Sequence, residues 1–180
     1  MDNPEIDGLA KLRIANIVMI ITAIFALWQL GYFFAELGLG TTNVRGLIGT
    51  TNGIIVGSSA IGQAATLMMA RGFGELRSLD PRFKIGRTGS IVAFVSFLIS
   101  SIFLNPLFMG LSYLLIFIGY ILLGIGYYRI GKAYSSDVLK VGAILLILIP
   151  VIGLILNVIG LHSIIGRVKR AAEARPPWNQ

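Results

Sequence analysis

The chain has no cysteine, which excludes disulfides, thiolate metal sites and cysteine nucleophiles. It has one histidine, His162. With no thiolate and no carboxylate inside an apolar run, that residue makes a poor metal or haem site. Charge is scarce: 13% of residues are Asp, Glu, Lys or Arg, against about 25% in soluble domains. The charges also avoid five long stretches, 14–34, 47–70, 91–108, 111–127 and 141–161. This removes the intramembrane ionisable group of a proton- or ion-coupled pump, which costs about 2.5–3.5 kcal/mol to insert and is kept for function. No serine has a His or Lys partner placed to activate it. The segment Gly86-Arg87-Thr88-Gly89 lacks the spacing of a phosphate-binding loop. Together these absences predict no metal, no cofactor and no enzyme activity.

What is present is apolar. Of the 180 residues 56% are hydrophobic, and the mean hydropathy is +0.84. A membrane span takes about 20 apolar residues, so five spans and their connections use up nearly the whole chain. The expected fold is all-α: a single membrane domain over 1–180, a polytopic transmembrane helical bundle of five spans, with a basic tail at 162–180. Asp2, Glu5 and Asp7 stand where a secretory signal needs positive charge, and the first apolar run is too long for one. The first span is therefore expected to remain in the mature protein. Trp28, Tyr32, Phe33 and Phe34 crowd its far end as an interfacial aromatic belt does.

The last apolar segment admits two layouts. Pro150 kinks a single crossing over 141–161, or it turns the chain back into a re-entrant hairpin, leaving four spans. Residues 141–149 make only about 14 Å of helix, too short to cross about 30 Å of hydrocarbon. A re-entrant hairpin must also bury its open backbone. The kinked crossing is the expected form.

The net charge is +7 and the pI about 10.1. The aromatics sit mostly in the spans and not among the basic residues as stacking platforms, so no nucleic acid is expected as a partner. With five spans, ten Lys and Arg fall on the side of the N-terminus and five on the other. Basic residues favour the cytoplasmic side. The reading is a multi-pass protein of the cell membrane, N-terminus cytoplasmic. Its partners are the lipid bilayer, with anionic headgroups at the basic loops, and a second copy or a larger membrane complex. Residues 163–174 are expected to form a short basic helix at the membrane surface.

Two patterns stand out inside the spans. In the second, Gly49, Gly53 and Gly57 make a GxxxGxxxG ridge, extended by Ala60 and Ala64. Such ridges let helix backbones approach closely. On an adjacent face Asn52, Ser59, Gln63 and Thr66 fall within about 60° of one another at 100° per residue. They serve as interhelical hydrogen bonds or as a lining for a polar path. In the fifth segment Gly153, Asn157 and Gly160 share one face, a second packing seam.

Two loop exits read alike. Asp80-Pro81-Arg82-Phe83-Lys84-Ile85-Gly86 and Asp137-Val138-Leu139-Lys140-Val141-Gly142 both run from Asp through an apolar-Lys-apolar-Gly step into a span. A repeat of hairpins would explain this. The first of these stretches, with Gly72-Phe73, Gly124-Ile125-Gly126-Tyr127-Tyr128-Arg129-Ile130-Gly131 and Ile155-Leu156-Asn157-Val158-Ile159-Gly160-Leu161, resembles an archaeal multi-span membrane protein family of unknown function. The resemblance covers roughly residues 10–165 and implies an archaeal integral membrane protein, with no activity to carry over. The expected role is a structural or accessory subunit of a membrane assembly. The alternative is a small channel or passive transporter lined by the polar face of the second span.

Overall fold

The computed structural model describes residues 3–38, 44–103 and 106–174, with the backbone alone at 26–38, 44–52, 54, 55, 106 and 109. Its elements are α1 (Pro4–Gly38), α2 (Val44–Leu79), a 3-10 turn (Pro81–Phe83), α3 (Lys84–Ile102), α4 (Pro106–Ala133), α5 (Asp137–Leu148) and α6 (Pro150–Glu173). No strand occurs among the described residues. A chain in lipid must satisfy its backbone amides internally, and long charge-free runs do so as helices.

The boundaries follow local chemistry. Pro4, Pro81, Pro106 and Pro150 each open a helix or helical turn, where a missing N–H costs nothing. The Asp80 carboxylate accepts from the backbone N–H of Arg82 at 2.9 Å and starts the turn. Ser136 caps α5 by accepting from Leu139 N. Ser135, at φ 50°, takes the left-handed position that ends α4, and Ser136 N–H bonds the Gly131 carbonyl at 2.8 Å. The basic segments expected as loops are mostly helix: α2 runs on to Leu79 and α4 to Ala133. Arg, Lys, Leu and Glu are good helix formers, so the rods continue past the apolar runs.

The helices contact one another in chain order, α1 with α2 through α5 with α6, and α6 closes the ring on α1. Tyr127 of α4 lies near its centre, fully buried. Its ring is tilted against Phe73 of α2, centroids 5.2 Å apart. Its hydroxyl accepts from Asn16 of α1 at 2.6 Å. Gly86 of α3 packs on the same Phe73 and on Gly126 of α4, where backbones meet too closely for a β-carbon.

The expected kinked crossing over 141–161 is replaced by a hairpin. Leu146 lies against Gly153, Gly142 against Asn157 and Leu139 against Gly160. That is one antiparallel register, turning at Ile149 and Pro150. In a single helix Leu139 and Gly160 would lie about 31 Å apart. α5 has 12 residues, about 18 Å, short of the roughly 30 Å of a hydrocarbon core, and α6 runs back along it. The backbone concern is met locally. Ile149 N–H bonds Leu145 O at 2.7 Å, Gly153 N–H bonds Ile149 O at 3.0 Å, and Pro150 has no N–H to leave bare.

This return gathers the charges at one end. Lys11 pairs with Glu75, Arg129 donates to the Arg82 carbonyl, Arg13 meets His162, and Tyr134 joins Glu5 to Arg167. These contacts bring the start of α1, both ends of the α2–α3 turn, the end of α4 and the outer part of α6 together. Among the Lys and Arg of the described residues, Arg45 alone lies at the far end, on the first turn of α2.

Candidate functional site

Polarity is distributed inside-out. Asn16, Ser96, Ser112 and Asn157 are buried, while Leu107 is 77% and Leu148 70% exposed. Such an exterior belongs in hydrocarbon, where buried polar groups act as glue between helices. Four stretches among the described residues are long and apolar enough to cross a membrane: Pro4–Phe25, Pro81–Ile102, Gly110–Ala133 and Pro150–Glu173.

The polar face of α2 turns inward. Gln63 donates to Ser101 Oγ at 3.0 Å and to the Phe97 carbonyl at 3.3 Å, both on α3. Thr66 bonds back to Gly62 O of its own helix at 2.8 Å, and Ser59 is buried. The side chain of Asn52 lies outside the described residues. Beside this face runs a serine clasp that the sequence reading did not single out. Ser96 of α3 donates to the Ser112 carbonyl of α4 at 2.7 Å, Ser112 donates to the Ser96 carbonyl at 2.8 Å, and Ser100 joins them. The spacing of Ser96 and Ser100, four residues apart in the charge-free run 91–108, was the available signal. Asn16, the lone amide between residues 14 and 26, was the signal for the bond to Tyr127.

The glycines separate into two groups. Gly153 and Gly160 lie inside the α5–α6 hairpin. A β-carbon at Gly153 would run into the Leu146 backbone, and one at Gly160 would come within 3.0 Å of the Leu139 backbone. Asn157 sits between them, fully buried, its amide without a hydrogen-bond partner. Gly53 and Gly57 are different. Among the described residues a β-carbon at either meets nothing within 4 Å, and with Ala60 and Ala64 they lie exposed along α2. Gly49 continues this ridge in sequence but lies outside the residues whose surroundings are described.

At the charged end the carboxylates are mostly engaged. Glu75 holds Lys11, Asp80 holds Arg82 at 2.7 Å and Asp137 holds Lys140 at 2.9 Å. Hydrogen bonds from Arg82 hold the Asp80 carboxyl below its ordinary range, and Lys140 does the same for Asp137. Burial and the neighbouring Glu5 carboxylate push the Tyr134 hydroxyl well up. His162 lies beside Arg13, its Nδ1 3.0 Å from Nη1, and no group of three or more metal-binding side chains occurs among the described residues.

An apolar exterior, a hydrogen-bonded interior and helices of spanning length define a multi-pass helical membrane protein. The chain belongs to the DUF973 family, described as proteins of unknown function, whose model matches residues 5–180. No curated protein and no solved structure matches it.

Proposed function

We propose that this chain is a non-enzymatic structural or accessory subunit of a membrane assembly. It sits in an archaeal cell membrane with its N-terminus in the cytoplasm, and packs there with a second copy or a larger complex. The observation that carries this reading is the open ridge of α2. Gly53 and Gly57 have the spacing that lets helices approach closely in lipid, and among the described residues a β-carbon at either meets nothing within 4 Å. The orientation is supported by the charge: one end of the bundle holds the Lys and Arg of the described residues apart from Arg45, and such an end faces the cytoplasm. Its basic groups meet anionic headgroups there.

The polar face of α2 supports packing over a channel lining. Gln63 spends its amide hydrogens on α3, and Thr66 bonds its own helix.

The test uses two differently tagged copies expressed together and purified in mild detergent, with mass spectrometry of whatever accompanies them. Wild type is expected to bring down its second copy or a constant partner. Gly53→Leu is expected to fold normally, because a β-carbon there meets nothing within 4 Å among the described residues, and to lose that association. A Gly53→Leu protein that keeps its partners would sink the reading.

A further inference from the structure

On α4, Tyr113, Phe117, Gly124 and Gly131 fall within about 40° of one another at 100° per residue. α5 covers the half of this face nearer the charged end. A β-carbon at Gly131 would meet the Lys140 backbone at 3.0 Å, and one at Gly124 the Ala143 carbonyl at 2.8 Å. The other half is bare: Phe117 and Tyr113 are exposed, Tyr113 to 67%. The register explains the step. Phe117 lies about 10 Å beyond Gly124 along α4 and Tyr113 about 16 Å, whereas α5 runs on from Ala143 for only about 8 Å before it ends at Leu148. α1 to α4 continue past that level, α3 to Ile102 and α4 to Pro106. Among the described residues the bundle is six helices wide toward its charged end and four beyond the α5–α6 turn.

Length sets where this step falls. The uncharged arms of the hairpin, 141–148 and 150–161, are about 12 and 18 Å long, close to half of a hydrocarbon core of about 30 Å. The tip presents Leu148, Ile149 and Ile152, all exposed and apolar, so no side chain there reaches for a headgroup. A helix pair seated in one leaflet displaces lipid from that leaflet alone. At interaxial spacings of 8–10 Å, two helices take up about 130–200 Å². Two joined leaflets relieve such an area difference by bending, with the wider side outward. Helices that enter one leaflet are sensitive to curvature for this reason.

We infer that the α5–α6 hairpin is a one-leaflet wedge, and that the protein gathers in membrane bent with its charged face convex. This goes beyond the accessory role proposed above and does not depend on self-association through α2.

The test pulls narrow tubes from giant vesicles of neutral phosphatidylcholine that hold the full chain in both orientations. A membrane-impermeant fluorescent maleimide, added outside, marks each orientation separately. Ser78→Cys reports molecules with the charged end outward, and Arg45→Cys, at the far end of α2, reports the others. Labelled Ser78→Cys is expected to be about twofold or more denser in the tube than in the parent vesicle, increasingly so as the tube narrows. Labelled Arg45→Cys is expected to be depleted. Equal ratios for the two labels would overturn the wedge, whether both are enriched or both unchanged, and so would the opposite signs. A second variant carries seven added apolar residues in each arm at the turn, about 10 Å more per arm. It fills the missing half and should bring both ratios toward one. If it folds and sorts like wild type, the four long helices set the shape and the wedge is overturned; if it does not fold, the opposite signs of the two labels still decide. Gly53→Leu is expected to sort like the unaltered ridge, so a failed wedge and a failed packing ridge give different results.

Discussion

Two asparagines are buried side chains of the same kind in the same bundle, and their consequences differ. Asn16 donates to Tyr127 Oη and to the Leu12 carbonyl at 2.7 Å. Replacing it by leucine, which has a similar shape, strands a fully buried tyrosine hydroxyl. Leaving such a group unmade costs about 1–3 kcal/mol. Asn157 is just as buried, but its amide has no protein partner to lose. Asn157→Leu is therefore expected to change stability by less than about 1 kcal/mol in either direction. Unfolding followed by helicity in mixed micelles, for both variants against wild type, reads the difference directly. An Asn157→Leu protein as damaged as Asn16→Leu would mean that Asn157 holds a partner of its own. The same contrast explains what the sequence displayed at this scale. A lone amide in a charge-free run is visible, but whether it is paired depends on which helix faces it, and Tyr127 lies 111 positions away.

At the scale of elements, the charge-free runs made the cores of α1 to α4 legible, because a chain in lipid has few options beyond the helix. The α5–α6 hairpin was legible only as an alternative. One residue, Pro150, serves a kink and a hairpin equally well. An apolar run carries no periodic mark of where it folds back. Nine residues, 141–149, are too few to cross about 30 Å of hydrocarbon, and the chain turns back at Pro150. What selects the hairpin is the close fit along one register, and Gly153 is its tightest point. Gly86 and Gly142 end the two segments that read alike, and both lie in close contact with neighbouring helices, but the helices they open differ, 19 residues in α3 and 12 in α5. Gly153→Leu drives a side chain into the Leu146 backbone and is expected to cost about 3 kcal/mol. Ile152→Leu, one position earlier and exposed, should be silent. A thermal midpoint for Gly153→Leu equal to that of wild type would show that the hairpin is not the packed form.

For the molecule as a whole, the hairpin decides where the tail goes, and so the whole charge balance across the bilayer. A kinked crossing leaves ten basic residues on the N-terminal side and five on the other. The hairpin moves the basic outer part of α6 to the N-terminal side, where Arg13 meets His162 and Arg167 meets the Tyr134 carbonyl. The resulting asymmetry is steeper than the sequence count, and basic residues near span ends set orientation. Because the chain has no cysteine, single substitutions report sidedness without background. Ser78→Cys and Lys169→Cys are both exposed positions at the charged end. Both should resist a membrane-impermeant maleimide on intact cells and react once the membrane is opened. Arg45→Cys, at the far end of α2, should react from outside. If Lys169→Cys labels with Arg45→Cys and not with Ser78→Cys, the last segment crosses fully. The cytoplasmic orientation would then rest on the smaller difference alone, and the basic part of α6 would be on the wrong side to meet the anionic cytoplasmic leaflet.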